Sequence, residues 1–288
     1  MEPKIHTYKR KGYFMTDVKG TRISIIGAGA LGGAVARGLT RAGCRVLASD
    51  AHPERLTRVH EEGVELTTDN ARAAREGEVV MFALKPHLTL GAVGELAALL
   101  KGKLCISLAA VVTLDMLKSA VPEARWARAM TNICAALNCA FTGVTKSSAT
   151  TETDEAWMRD AFGLLGPVEE ADEGSLNALT SLTGATPAFF MSLMEAAAMG
   201  GIQAGIPKDL AYKGAMSAML GAARLSMEGG RHPAELRDDV CTPGGMTIEG
   251  IYEIERAGAR AAMMKAVVLT AEKGKVLTDR IAASLKNR

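Results

Sequence analysis

Residues 21–50 read TRISIIGAGALGGAVARGLTRAGCRVLASD, and the order of elements in this stretch decides the fold. Residues 22–26 form a short run rich in β-branched side chains, the composition of a strand buried in a parallel sheet. The run enters Gly27-Ala28-Gly29-Ala30-Leu31-Gly32, a G-x-G-x-x-G pattern. A helix follows, with Leu31, Val35 and Leu39 on one face, and Gly43 closes it. A second strand over 45–49 ends on Asp50. Gly27 permits a tight turn, Gly29 lets backbone approach a pyrophosphate, and Gly32 lets helix and strand pack closely. Phosphates are stabilised at such a helix start, where free N–H groups and the dipole favour anions. With an acid 18 positions after Gly32, the pattern predicts a dinucleotide site. A merely glycine-rich turn would leave Asp50 unexplained.

The 288 residues suit one large domain or two medium ones, with 48% apolar and 23% charged residues, an ordinary globular balance. A net charge of +2 gives no reason to expect nucleic acid or an acidic membrane surface. With 15 Met against 2 Trp, 4 Tyr and 6 Phe, the chain is also poor in stacking platforms for bases. Its cysteines, Cys44, Cys105, Cys134, Cys139 and Cys241, are odd in number and form no C-x-x-C pair or Cys/His cluster. Neither a disulfide framework nor a metal site is expected, and a reducing cytoplasm fits best. No apolar run reaches transmembrane length. Residues 1–20 lack the apolar core of a secretory signal and are read as a solvated extension of unassigned role.

Further along, helices are expected over 53–62, 68–75, 88–100 and 114–119, with strands over 64–66, 78–84, 104–108 and 125–130. Residues through Gly143 read as an irregular loop. Thr153 is expected to cap a helix over 154–165, and a last strand occupies 168–171. Strands alternating with helices to residue 171 imply an α/β, doubly wound Rossmann domain over 21–171.

From Asp172 to the end no strand is apparent, so 172–288 is read as an all-helical C-terminal domain. Thr186-Pro187, Ile206-Pro207 and His232-Pro233 open helices, and others cover 247–256 and 260–285. The wide Ala-, Gly- and Met-rich faces of 215–223 and 261–268 suggest burial against a second subunit, a close-packed monomer being the alternative. The most informative stretch is Val240-Cys241-Thr242-Pro243-Gly244-Gly245-Met246-Thr247. A Pro-Gly-Gly turn running into a helix start exposes N–H groups suited to a small carboxylate, with Thr242 and Thr247 hydroxyls beside it. Local features equally allow Thr247 to be only a helix cap.

Five blocks then fall in one order and spacing. They are 27–32, Ala83-Leu84-Lys85-Pro86, Met130-Thr131-Asn132, Thr183-Gly184-Ala185-Thr186-Pro187-Ala188 and Thr242-Pro243-Gly244-Gly245-Met246-Thr247. Over about residues 23–277 the chain resembles the pyrroline-5-carboxylate reductases, the Pro-Gly-Gly-x-Thr block being the most specific part. The resemblance implies NAD(P)H-dependent reduction of the cyclic imine 1-pyrroline-5-carboxylate to L-proline. It implies a Rossmann domain followed by a helical domain that interlocks into homodimers, often built into larger rings, with substrate between the nicotinamide and the helical domain. By position, Gly244 and Gly245 would hold the substrate carboxylate, Thr247 would hydrogen-bond the ring nitrogen, and Thr242 would line the pocket. Asn70 would lie near the adenosine, Ala83, Lys85 and Pro86 along the cofactor, and Ala109 and Ala110 near the nicotinamide. A protonated imine is already an electrophile, so alignment with the hydride donor is the main requirement.

Departures from the family pattern cluster near the expected nicotinamide and substrate. Thr183 to Phe189 replaces Ser-Gly-Ser-Gly-Pro-Ala-Tyr, Asn132-Ile133-Cys134 replaces Asn-Thr-Pro, and Val111 stands where a glycine commonly follows the Ala-Ala turn. They leave open a larger or differently substituted cyclic imine carboxylate, or a non-catalytic nucleotide-binding protein of the same fold. A hydroxyacid dehydrogenase ranks below, because no lysine lies between Gly184 and Gly201. Asp50 would accept hydrogen bonds from ribose hydroxyls and repel a 2′-phosphate, which favours NADH. Arg55 keeps NADPH open as the second option, and Asp50 as a plain turn residue would remove the preference.

Overall fold

The structure, a computed structural model, describes residues 16–59 and 63–286. Eight strands form one sheet: β1 (Arg22–Ile26), β2 (Arg45–Ser49), β3 (Val64–Thr67), β4 (Val79–Phe82), β5 (Leu104–Ser107), β6 (Arg125–Met130), β7 (Thr142–Lys146) and β8 (Val168–Glu170). Their order is β3-β2-β1-β4-β5-β6-β7-β8. The first six are parallel, with Ile25 opposite Ala48 on one side and Met81 on the other. The order in which strands are added reverses between β1 and β4, the switch point at which doubly wound sheets bind ligands.

One strand departs from the expected pattern. The segment read as an irregular loop holds a 3-10 helix, Ile133–Leu137, and then β7, which runs antiparallel to β6. The sheet is therefore mixed at its far edge. A two-strand reversal needs no crossover helix, so the βαβ alternation that predicts the rest could not reveal it.

Helices α1 (Ala30–Arg41), α2 (Pro53–Val59), α3 (Asn70–Glu76), α4 (Pro86–Glu95), α5 (Ala97–Leu100), α6 (Leu114–Ala120) and α7 (Glu152–Gly163) belong to the same strand-bearing part of the chain. Two apolar layers form the core. Ile23, Ile25 and Met81 pack with Val35, Leu39 and Phe162 in one, and Ile26, Val80 and Phe82 with Leu100, Leu117 and Trp126 in the other. Consecutive strand residues thus face opposite layers, which is why β1 and β4 are apolar throughout. The α7 start is capped by Thr151, not Thr153. Thr151 Oγ1 accepts from Asp154 N at 3.1 Å while Asp154 Oδ2 accepts from Thr151 N at 2.9 Å, a reciprocal capping box. Burial alone would raise the Asp154 carboxyl, but Arg125 and the Thr151 bonds hold it below its ordinary range. The expected helix over 53–62 is seen to Val59, and its last three positions lie outside the described residues.

After β8 the chain is helical: α8 (Glu173–Leu179), a π turn (Thr180–Gly184), α9 (Thr186–Gln203), α10 (Lys208–Gly229), α11 (Pro233–Val240), α12 (Met246–Arg256) and α13 (Ala259–Lys286). The chain divides into two compact units, one running to Ala185 and including the chain from Thr270 onward, the other Thr186–Leu269. Within the second, α9 and α10 form a hairpin in which a Cβ on Gly201 would lie 3.4 Å from the Ala211 Cβ. Little else there is buried: Thr186 and Ala198 on α9, Ala211 on α10, and nothing on α11 or α12. Met191, Leu193, Leu210, Leu220 and Ile254 are exposed. These helices thus carry large exposed apolar faces and little buried core of their own.

Candidate active site

The glycine-rich turn sits at the carboxyl end of β1. Gly27 has φ 101°, a backbone conformation that side-chain-bearing residues rarely adopt, and its N–H donates to Ser49 O at 2.8 Å. A Cβ on Gly32 would lie 1.9 Å from Gly27 O and 2.8 Å from the Ala83 Cβ, so helix and turn meet without room for a methyl group. Gly29 differs: a Cβ there would meet nothing within 4 Å. It is the N-cap of α1, with no side chain capping the helix start, and Ala30 beside it is exposed. The first N–H groups of α1 thus face open space, the geometry that holds a phosphate. These residues fit a dinucleotide.

Asp50 follows β2 and is only 4% exposed. Its Oδ2 accepts from Ala28 N at 3.0 Å, its Oδ1 accepts from His52 N at 3.0 Å, and Arg55 Nη1 lies 3.4 Å away. The carboxylate therefore braces the glycine-rich turn. Asn70, the first residue of α3, accepts from Ser49 Oγ at 2.8 Å and so lies beside the same strand end.

Two further loops leave the sheet at this edge. Ala83 N donates to Ile26 O at 2.8 Å, Lys85 is the N-cap of α4, and Pro86 is its first residue. Lys85 is exposed and forms no side-chain cap bond. After β5, Ala109 N donates to Ser107 Oγ at 3.3 Å, and the turn continues through Ala110 to Val111. Val111 has φ 63° and is 7% exposed. A β-branched residue in the left-handed region is strained by about 1–2 kcal/mol, and burial of its isopropyl group offsets that cost. At this position Val111→Gly should be more stable than Val111→Ala by about 1 kcal/mol, the reverse of the usual order. Urea unfolding of the two variants checks this, and alanine being the more stable would show that the turn relaxes out of the left-handed region.

Asn132 is nearly buried at the end of β6. Its Oδ1 accepts from Cys134 N at 2.9 Å and its Nδ2 donates to Thr183 O at 2.9 Å. Two of the resembling blocks, 130–132 and 183–188, are thereby joined through one side chain.

The Thr242–Thr247 segment belongs to the helical unit. Gly245 N donates to Thr242 O at 3.0 Å across Pro243 and Gly244, the latter at φ 68°, the pattern of a type II turn. A Cβ on Gly245 would lie 2.4 Å from Thr242 Oγ1, so only glycine fits beneath that hydroxyl. Gly245 is the N-cap of α12 and no side chain caps the helix. Thr247 is therefore the second helical residue, exposed, and its hydroxyl does not serve as the cap. The helix start presents N–H groups and two threonine hydroxyls to solvent, a set able to bind a small carboxylate.

Sequence reasoning passed over Arg128 and Glu173. Arg128 is wholly buried on β6, and its Nη1 donates to Glu173 Oε1 at 2.6 Å. The available signal was an Arg set between Ala127 and Ala129 inside a strand whose other charge, Arg125, stands at its start. Among the described residues no group of three potential metal-ligating side chains gathers, and no helix is long and apolar enough to cross a membrane.

A switch-point sheet, an open glycine-rich helix start and an acid closing β2 define a Rossmann-type dinucleotide-binding protein with a helical C-terminal unit. Comparison with known proteins narrows this. Residues 173–277 match the family model for pyrroline-5-carboxylate reductase dimerisation, and residues 22–111 match that for NADP oxidoreductase, coenzyme F420-dependent. The pyrroline-5-carboxylate reductase of Pisum sativum is 36% identical over 89% of this chain and 96% of its own length. The solved structure of a pyrroline-5-carboxylate reductase from Coxiella burnetii is 28% identical with a TM-score of 0.77, covering 89% of this chain and 98% of that one. That of Plasmodium falciparum pyrroline carboxylate reductase with NADP bound shares the fold, with a TM-score of 0.83 at 20% identity over 91% of this chain and 99% of that one. The chain belongs to the pyrroline-5-carboxylate reductase family.

Proposed function

We propose that the protein reduces 1-pyrroline-5-carboxylate to L-proline with NADH, as a cytoplasmic homodimer joined through its C-terminal helices. The observation that carries this reading is a pair of uncapped helix starts in one chain of this family. One follows Gly27–Gly32 and faces open space; the other follows the Thr242–Gly245 turn and is flanked by threonine hydroxyls. The first holds pyrophosphate and the second the carboxylate of the cyclic imine. When bound, the nicotinamide supplies the hydride. Gly244 and Gly245 fix the carboxylate through backbone N–H groups, and Thr247 hydrogen-bonds the ring nitrogen. A strong side-chain acid is not required, since the imine reacts in its protonated form. The exposed apolar faces of α9, α10 and α12 supply the dimer surface.

The test is oxidation of NADH and NADPH against a panel of five- and six-membered cyclic imine carboxylates. The five-membered imine should turn over fastest. Turnover confined to six-membered rings would reassign the substrate, and cofactor binding without turnover would make the protein a nucleotide-binding member of the family.

Preference for NADH rests on Asp50, whose charge at the ribose end disfavours a 2′-phosphate, although Arg55, 40% exposed, lies beside it. Asp50→Ser removes about 1–2 kcal/mol of like-charge repulsion and should raise the NADPH-to-NADH ratio of kcat/KM by roughly tenfold. Equal losses with both cofactors would mean that Asp50 serves only to brace Ala28.

A further inference from the structure

The segment after Asn132 holds two thiols at the ends of one hydrogen-bonded turn. Its 3-10 helix ends at Asn138, a left-handed residue with φ 56° and ψ 34°. Asn138 N donates to Ala135 O at 3.0 Å, and Cys139 N donates to Cys134 O at 3.2 Å. These are the 5→2 and 6→1 bonds of a Schellman closure, with Cys134 at C3 and Cys139 at C″. Side chains at those two positions commonly touch in this motif, and here both are free cysteines. Laid end to end, the covalent and hydrogen bonds joining the two α-carbons span about 7.4 Å, an upper limit on their separation. The bent path of the closure is shorter, which brings the pair toward the roughly 4.4–6.8 Å that a disulfide bridges.

We propose that Cys134 and Cys139 form a reversible disulfide, made by exchange with small-molecule disulfides, that slows the reductase by disturbing Asn132. Cys139 is exposed and is the attacking thiol. Burial, with Cys139 beside it, raises the Cys134 thiol, which keeps it from attacking a small disulfide and leaves it only the intramolecular step, where the Cys139 sulfur is held close by. The Cys139 thiolate attacks one sulfur of the small disulfide, forming a mixed disulfide and expelling one thiolate. The Cys134 thiolate then attacks the Cys139 sulfur and expels the second. Two electrons pass from the cysteine pair to the small disulfide, and the two cysteine protons end on the two released thiols. Cys44 and Cys105 are buried and cannot compete, Cys105 being pushed up to about 12 by burial.

The two ends of the turn are held unequally. Asn138 Nδ2 donates to Gly38 O at 3.0 Å and to Leu164 O at 2.7 Å, which pins the Cys139 end to α1 and to the end of α7. The Cys134 end hangs on its N–H bond to Asn132 Oδ1. Drawing the sulfurs together therefore loads that bond and, through Asn132, the contact to Thr183 O. The thiol pair stands whatever the substrate is; its effect on turnover rests on the reductase reading.

The experiment equilibrates the full chain with graded mixtures of reduced and oxidised glutathione, quenches by alkylation, and maps peptides alongside imine turnover. The wild type should lose two hydrogens, with a Cys134–Cys139 link, and recover on reduction. Cys134→Ser should hold Cys139 as a stable mixed disulfide, and Cys139→Ser should leave Cys134 unmodified. Turnover should fall several-fold on oxidation of the wild type and return with reductant, whereas Cys139→Ser should not respond. A mixed disulfide on wild-type Cys139 without the internal link, or a link to another cysteine, overturns the proposal. A mapped link with unchanged turnover overturns the coupling to Asn132. If the reduced protein turns over no imine, the reductase reading fails while the mapping still decides the disulfide.

Discussion

Replacing Glu173 by alanine is expected to lower the unfolding free energy by about 3–5 kcal/mol. The cost comes from the residue left behind. Arg128 is 0% exposed, with Nη1 donating to Glu173 Oε1 at 2.6 Å and Nη2 to Asn177 Oδ1 at 3.1 Å. Its buried Nε has no partner among the described residues, so Glu173 is the one counter-charge the structure gives it. Burial pushes the guanidinium pKa down and Glu173 offsets part of that, yet an arginine does not shed its proton near neutrality. Without Glu173 the cation stays charged, buried and unpaired. The same Oε1 also accepts from Leu114 N at 2.7 Å, so the start of α6 loses its acceptor as well. Two controls separate these effects. Glu173→Gln keeps an acceptor but removes the charge, and should fall between wild type and alanine. Arg128→Met combined with Glu173→Ala should recover much of the loss, because an apolar replacement of both partners removes the stranded charge. Fluorescence of Trp126 and Trp157, both in the strand-bearing unit, follows urea unfolding at fixed protein concentration. A loss under about 1 kcal/mol for Glu173→Ala would mean that hydrogen bonds from Arg128 to water and Asn177 already solvate its charge adequately.

What could be read from the chain, and what could not, divides by the range of the interaction. Strands β4 and β5 were legible because buried parallel strands are apolar on both faces, and the others of the first six because helices punctuate them at regular intervals. Strand β7 reads Thr-Gly-Val-Thr-Lys, short and half polar, and its pairing with β6 and β8 makes it a strand. The Thr151 cap was within reach: Thr151 stands three residues before Asp154, the spacing of a capping box, whereas Thr153 does not. The glycine-rich turn was legible because its demands fall on the backbone, where the residue type itself carries the message. Whether Thr247 caps a helix was not, since the answer lies in the extended backbone of Gly245, φ −78° and ψ 167°. Arg128 and Glu173 are 45 positions apart, and no local pattern joins them.

Thr247→Ala should lower kcat/KM for the cyclic imine roughly ten- to hundredfold while leaving NADH affinity nearly unchanged. A hydrogen bond to a charged group contributes about 1.5–3 kcal/mol, and the protonated ring nitrogen is such a group. The substitution is structurally mild. Thr247 is exposed, its hydroxyl makes no capping bond, and the α12 N-cap is Gly245, so the helix start survives the change. Thr247→Ser, which keeps the hydroxyl, should retain most of the rate. The cofactor residues 27–32 belong to the strand-bearing unit and Thr247 to the helical one, so a site effect and a folding effect part company in the two titrations. NADH binding followed by nicotinamide fluorescence gives one, and steady-state kinetics with the imine varied gives the other. In this reading the bond is made to a nitrogen whose charge falls as hydride arrives, so the deficit should appear mainly in KM, with kcat changed less. Equal losses of NADH affinity and turnover would remove Thr247 from the substrate site, and full activity in the alanine variant would return it to the role of an ordinary surface threonine.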